Sequence, residues 1–192
     1  MIKVAFLDRD GVINYDLGYV HNRENFHFVN GIANLLTTLL KTGYEIIVVT
    51  NQSGIGRGYY SEVQYQKLTE WYLKYLKQKG IVIKDVLHCP HFLTSGHEKY
   101  AVNCNCRKPS PGLLEIAKQK YDIDMNSSFI IGDKTTDMLA GSRAGLRRGF
   151  LFNSLSTSDK DSDLIEIQMK MQILRVRSLP EVTSEIKKIY ND

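Results

Sequence analysis

Cysteine is scarce in this 192-residue chain: there are three, and all fall within the 25-residue stretch "HCPHFLTSGHEKYAVNCNCRKPSPG" from His88 to Gly112. Three cysteines cannot all pair with one another, which argues against a disulfide framework. No apolar run approaches the roughly 20 residues needed to cross a bilayer. The opening "MIKVAFLDRDG" reads as a strand and has neither the apolar core nor the small-residue cleavage site of a secretory signal. A cytoplasmic, soluble protein is therefore expected, in a compartment where structural disulfides are rare. Charge of one sign is also lacking in strength: the net +4 suits a phosphorylated small molecule and does not by itself indicate nucleic acid. There are no internal repeats.

What is present is an alternation. Short apolar runs of strand length occur at 2–8 (IKVAFLD), 44–51 (YEIIVVTN), 81–88 (IVIKDVLH), 128–133 (SFIIGD) and 149–153 (GFLFN). Runs of this kind are strands buried on both faces. Helical spacing lies between them, at Ile32, Leu35, Leu36, Leu39 and Leu40, then at Tyr65, Leu68, Tyr72, Tyr75 and Leu76 behind a capping Ser61, with Gly80 as a stop. Shorter helices are expected over 113–121 and 135–144. After Asn153 a polar stretch precedes an alternating segment, IEIQMKMQI, and a final helix over 179–190. The expectation is an α/β fold, a doubly wound, Rossmann-like parallel sheet, in one domain spanning 1–192 with a less regular strand and helix over 164–192.

In such sheets ligands bind beyond the carboxyl ends of the strands. The first strand ends in Asp8 and Asp10, the second in Thr50, Asn51, Gln52 and Ser53, the fourth in Asp133, Lys134 and Asp137; Lys108 lies just before a helix. Taken singly, an Asp-x-Asp is a turn, a GDxxxD an N-cap and a strand-end Thr a β-former. Together they bring carboxylates, a hydroxyl and a lysine to one edge. That set suits Mg²⁺, which takes one or two carboxylates plus substrate oxygens. It also suits attack on phosphorus by one carboxylate while a second moves the proton.

Four segments, FLDRDGVIN, VVTNQSG, RKPSPG and IGDKTTDM, resemble the four motifs of the haloacid dehalogenase-like phosphohydrolases, over roughly residues 2–153. The resemblance implies that Asp8 is the nucleophile and Asp10 the acid/base. It implies that Mg²⁺ is held by Asp8, the backbone carbonyl of Asp10 and Asp133, and that Thr50 and Lys108 stabilise the phosphoryl group. A phosphate-binding receiver module, the non-catalytic alternative, has no use for a second acid two residues after the first.

The cysteines form a pattern of their own. Cys89, His91, Cys104 and Cys106 offer three sulfurs and one imidazole, a complete tetrahedral set for structural Zn²⁺. Reduced buried thiols are the alternative, and His88 and His97 compete for the histidine position. The ligand set ends at Cys106, directly before Arg107 and Lys108, so a zinc-stabilised loop over 88–108 would deliver those cations.

Within the superfamily the chain resembles the branch that hydrolyses heptose bisphosphates, in DRDGVINYDLGYVH, TNQSGIGRG, CPH and CNCRKPSPG. The resemblance implies a sugar bisphosphate substrate from heptose biosynthesis. It implies a pocket lined by Asp16, Gly18, Tyr19, Val20, Asn51, Gln52 and Ser53, with Arg107 reading a second phosphate and Lys134 near the metal. The histidinol-phosphate phosphatases are the alternative, and the polynucleotide 3′-phosphatases a more distant one. No nucleic acid, no membrane and a monomer are expected.

Overall fold

The computed structural model describes residues 1–152 and 170–191. Six parallel strands form one sheet: β1 (Lys3–Leu7), β2 (Tyr44–Asn51), β3 (Asp85–Cys89), β4 (Phe129–Gly132), β5 (Arg148–Phe152) and β6 (Gln172–Val176). Their order across the sheet is β3-β2-β1-β4-β5-β6. The chain runs outward from β1 through β2 to β3, then returns to β4 on the other side of β1. The strand order therefore switches between β1 and β4, which pair in parallel with Phe6 opposite Ile130. This is where an open α/β sheet gathers its ligand.

The apolar runs are continuous, but each splits by alternation between two cores. Ala5, Leu7, Ile46 and Val48 face one side; Val4, Phe6, Ile47 and Val49 face the other. The first side is covered by α1 (Ile32–Lys41), α3 (Glu62–Gln78) and α6 (Leu179–Asn191), through Leu35, Leu36, Leu39, Leu68, Tyr72, Val182 and Ile186. The second is covered by α4 (Gly112–Lys120) and α5 (Thr135–Arg143), through Leu113, Leu114, Ala117 and Met138. Ser61 caps α3 by a reciprocal pair: Gln64 N donates to Ser61 Oγ at 3.2 Å, and Ser61 N donates to Gln64 Oε1 at 2.8 Å. The short α2 (Ser53–Gly56) follows β2 directly.

One expected strand starts late, and another is described only at its end. Residues 81–84 are a connector, and β3 starts only at Asp85. Ile81 is buried for packing, while its N–H donates to Leu76 O at the end of α3 rather than to a neighbouring strand. The alternating segment 165–173 lies outside the described residues except at its end, and β6 is formed by Gln172–Val176. No helix among the described residues is long and apolar enough to cross a membrane.

Candidate active site

The carboxyl ends of β1, β2 and β4 and the residues before α4 enclose a cavity of about 400 Å³. It is lined by Asp8, Asp10, Thr50 and Lys108, by Asp16, Gly18 and Tyr19 from the loop after β1, by Asn51, Gln52 and Ser53 from the end of β2, and by Arg107 and Lys134. Tyr60, Thr136 and Asp137 complete the wall. Val20 does not reach it: the side chain is buried and its carbonyl accepts from Arg9 Nη2 at 2.6 Å.

Lys108 is the electrostatic centre. Its Nζ lies 3.1 Å from Asp8 Oδ1 and 2.5 Å from Asp137 Oδ1, and donates to Val49 O at 2.8 Å. Burial opposes its charge, but Asp137 and Asp8 outweigh burial and push its pKa up. Its backbone is gripped from the side by Asn51, which accepts from Lys108 N and donates to Lys108 O, both at 3.0 Å. Asn51 thus holds the lysine as well as lining the cavity. Gln52 is committed in the same way: Nε2 donates to Asp10 Oδ2 and Thr50 Oγ1, each at 2.9 Å, and Oε1 accepts from Tyr60 OH at 2.6 Å.

Asp137 is the residue that motif reading undervalued. The capping role expected of a GDxxxD pattern is met from the third helical position: Lys134 is the N-cap residue of α5, and its N–H donates to Asp137 Oδ2 at 3.1 Å. The other oxygen meets Lys108, so one carboxylate starts α5 and anchors the active-site lysine. Tyr60 was not signalled by any strand-end pattern, because it reaches the site from the turn before α3.

Asp8, Asp133 and Asp137 can each offer an oxygen within 4.8 Å of the others. Burial, only partly offset by Lys108, pushes Asp8 up to about 6. Burial and the Asp8 carboxylate push Asp133 up to about 7. Asp133 Oδ1 is buried without a protein partner. Hard oxygen donors crowded beyond their supply of positive charge fit a divalent cation such as Mg²⁺. The approach is close at Gly11 as well, where a φ of +87° and contact with the Asp133 carboxylate leave no room for a Cβ.

The sulfur cluster lies one loop away. Cys89 Sγ is 3.6 Å from Cys104 Sγ, 3.0 Å from Cys106 Sγ and 3.7 Å from His91 Nδ1, and His91 Nδ1 is 3.2 Å from Cys106 Sγ. Four ligands around zinc at about 2.3 Å sit roughly 3.5–3.8 Å apart, so the set needs only a slight spread to fit. All three cysteines are free. The hydrogen bond that the Cys106 thiol donates to Cys89, then burial, pushes that thiol up, a bias that a bound cation reverses. The competing histidines point elsewhere: His88 Nε2 is 3.3 Å from Glu62 Oε2, and His97 lies against Gly58.

An acid pair on the first strand end, a hydroxyl on the second, and a buried lysine between carboxylates at the switch point define a hydrolase of the haloacid dehalogenase-like class. A HAD-hydrolase-like family model matches residues 105–165. A relative from Photorhabdus laumondii, D-glycero-alpha-D-manno-heptose-1,7-bisphosphate 7-phosphatase, is 53% identical over 150 residues, covering 78% of this chain and 82% of its own. One from Pasteurella multocida, named for the beta anomer, is 40% identical over 187 residues, covering 97% and 100%. The chain belongs to the heptose-1,7-bisphosphate 7-phosphatase family. The D,D-heptose 1,7-bisphosphate phosphatase of B. bronchiseptica, solved with magnesium and phosphate, shares the fold with a TM-score of 0.78 at 24% identity, covering 98% of this chain and 99% of that one.

Proposed function

We propose that the chain removes the 7-phosphate of D-glycero-D-manno-heptose 1,7-bisphosphate, a step toward nucleotide-activated heptose. One observation carries the bisphosphate reading. The cavity that holds Asp8 and Asp10 is also lined by Arg107, whose buried Nη1 has no protein partner. A guanidinium left open beside an acid cluster suits a second phosphate on the same substrate.

Asp8 attacks phosphorus through a carboxylate oxygen. As that bond forms, the ester P–O bond breaks and Asp10 gives its proton to the departing sugar oxygen. The products of this half are the sugar hydroxyl and an aspartyl-phosphate. Water then attacks phosphorus, Asp10 takes the water proton, and the bond to Asp8 breaks to release inorganic phosphate. Lys108 and Thr50 hold the phosphoryl oxygens throughout. Mg²⁺, held by the carboxylates of Asp8 and Asp133 and the backbone carbonyl of Asp10, would supply positive charge to the same oxygens. Zn²⁺ on Cys89, His91, Cys104 and Cys106 would be structural, fixing the loop that ends in Arg107 and Lys108. The three free thiols suit action in the cytoplasm.

Phosphate release should be measured side by side from the alpha and beta anomers of heptose 1,7-bisphosphate, from histidinol phosphate and from a 3′-phosphorylated oligonucleotide. The heptose bisphosphate should lead in kcat/KM, with the alpha anomer the first to test because the 53% identical relative carries that name. A lead for histidinol phosphate or the oligonucleotide would overturn the assignment.

A further inference from the structure

The residue between the two motif aspartates is the most deeply buried cation in the described structure, and nothing above gives it work. Arg9 is 0% exposed. Its Nη2 donates to Asp10 Oδ1 at 2.8 Å and Oδ2 at 2.9 Å, and its Nε donates to Oδ1 at 3.2 Å. The same Nη2 donates to Val20 O. Asn14, also 0% exposed, repeats the arrangement: its Nδ2 donates to Asp10 Oδ1 at 2.9 Å and to Tyr15 O at 2.9 Å. Tyr15 opens the loop that carries Asp16, Gly18 and Tyr19 into the cavity, and Val20 closes it. Two buried side chains thus each join one carboxylate to one end of the same loop.

We propose that Arg9 and Asn14 are positioning residues that suspend the Asp10 carboxylate between the two ends of the 15–20 loop, so that a substrate seated against the loop sets the proton-transfer group. The proposal rests on the reading of Asp10 as the acid/base. The chemistry favours this use of a guanidinium. A fork of N–H donors stabilises the carboxylate that remains once Asp10 has given up its proton, and it fixes the plane of that carboxylate. An arginine serving only to fill the core would be replaceable by an apolar side chain of similar length, with no link to the proton transfer.

The test is a double-mutant cycle on kcat for the heptose bisphosphate, with folding of each variant checked by its thermal midpoint. Arg9→Met is expected to lower kcat roughly 10- to 100-fold in the wild-type background, a share of what a positioned acid/base supplies. In the Asp10→Asn background the same change should cost less than about threefold, because the group it positions is already gone. Arg9→Lys, which keeps the charge and loses the fork, and Asn14→Ala go through the same cycle, so a poorly folded Arg9→Met does not stall the test. A second readout uses phenyl phosphate and 4-nitrophenyl phosphate, alike in shape but unequal in their need for a proton on the departing oxygen. The positioning variants should lose more rate on phenyl phosphate. Equal losses in both backgrounds would overturn the proposal and leave Arg9 a structural cation. Failure of the underlying reading is distinct: it would appear in Asp10→Asn alone, as unimpaired turnover with Arg9 untouched.

Discussion

At the scale of single residues, Asp8 and Arg107 divide the proposed reaction between them. Asp8 is buried and pushed up to about 6 by that burial, so its ionised form strains the folded state. Asp8→Asn removes the nucleophile while keeping shape. It should therefore cost at least roughly 10⁴-fold in kcat with a thermal midpoint that holds or rises. A folded Asp8→Asn protein with near-normal turnover would refute the covalent route. Arg107 tests the substrate instead. Truncating a charge-assisted bond of this kind costs roughly 1.5–3 kcal/mol, or about 10- to 150-fold. Arg107→Ala should raise KM by that factor for a bisphosphate and much less for a monophosphate, because Lys108 serves the reacting phosphate. Equal losses on both would move Arg107 to the reacting group and favour histidinol phosphate as substrate.

At the scale of elements, the sulfur loop and the strands show what sequence pattern reveals and what it hides. β2 is legible to its last residue, because a β-branched apolar run buried on both faces has no other use. The start of β3 was not legible: Ile81 is as apolar as a strand residue, yet it is buried under the end of α3 without pairing. The sulfur cluster was legible because four soft ligands at close spacing leave few alternatives, and the strand-end acids because topology alone brings them together. The link from Asp137 to Lys108 and the reach of Tyr60 were not legible, since both depend on how α5 and the turn before α3 seat against the sheet. The loop's role can be tested as a unit. Gln52 N donates to Cys89 O at 2.8 Å and Gly56 N to Pro90 O at 3.0 Å, so the loop's root is stitched to both ends of α2, where Gln52 and Ser53 line the cavity. Arg57 stacks on Phe92 with its guanidinium carbon 3.5 Å from the ring centroid. Cys104→Ser should lower bound zinc, as counted by elemental analysis. It should also lower the thermal midpoint by roughly 2–4 °C for each kcal/mol lost, and turnover with it. Wild-type protein purified without zinc, yet stable and active, would leave the thiols as a reduced cluster.

At the scale of the whole molecule, the switch in strand order concentrates negative charge. Asp8, Asp133 and Asp137 converge where β1 and β4 meet, with Lys108 between Asp8 and Asp137, and Lys134 Nζ 3.0 Å from Asp16 Oδ2 and 3.7 Å from Asp133 Oδ2. The pH dependence follows from sign. Asp8 sits at about 6 and Asp133 at about 7 in the folded chain, against an ordinary value of 3.8. Between roughly pH 4 and pH 7 the folded state holds protons that the unfolded state has released. These two groups therefore add stability at low pH, and the metal-free protein loses it as pH rises through that window. A divalent cation needs the same carboxylates deprotonated, so its affinity should rise over the same window. The increase in thermal midpoint produced by a fixed Mg²⁺ concentration should accordingly be small at about pH 5 and larger at about pH 8. Adding Mg²⁺, rather than removing it with a chelator, leaves the sulfur cluster undisturbed. Asp133→Asn should flatten the pH response by removing a proton competitor and a ligand together. An Mg²⁺ increment equal at both pH values would mean that the cation does not bind through Asp8 and Asp133.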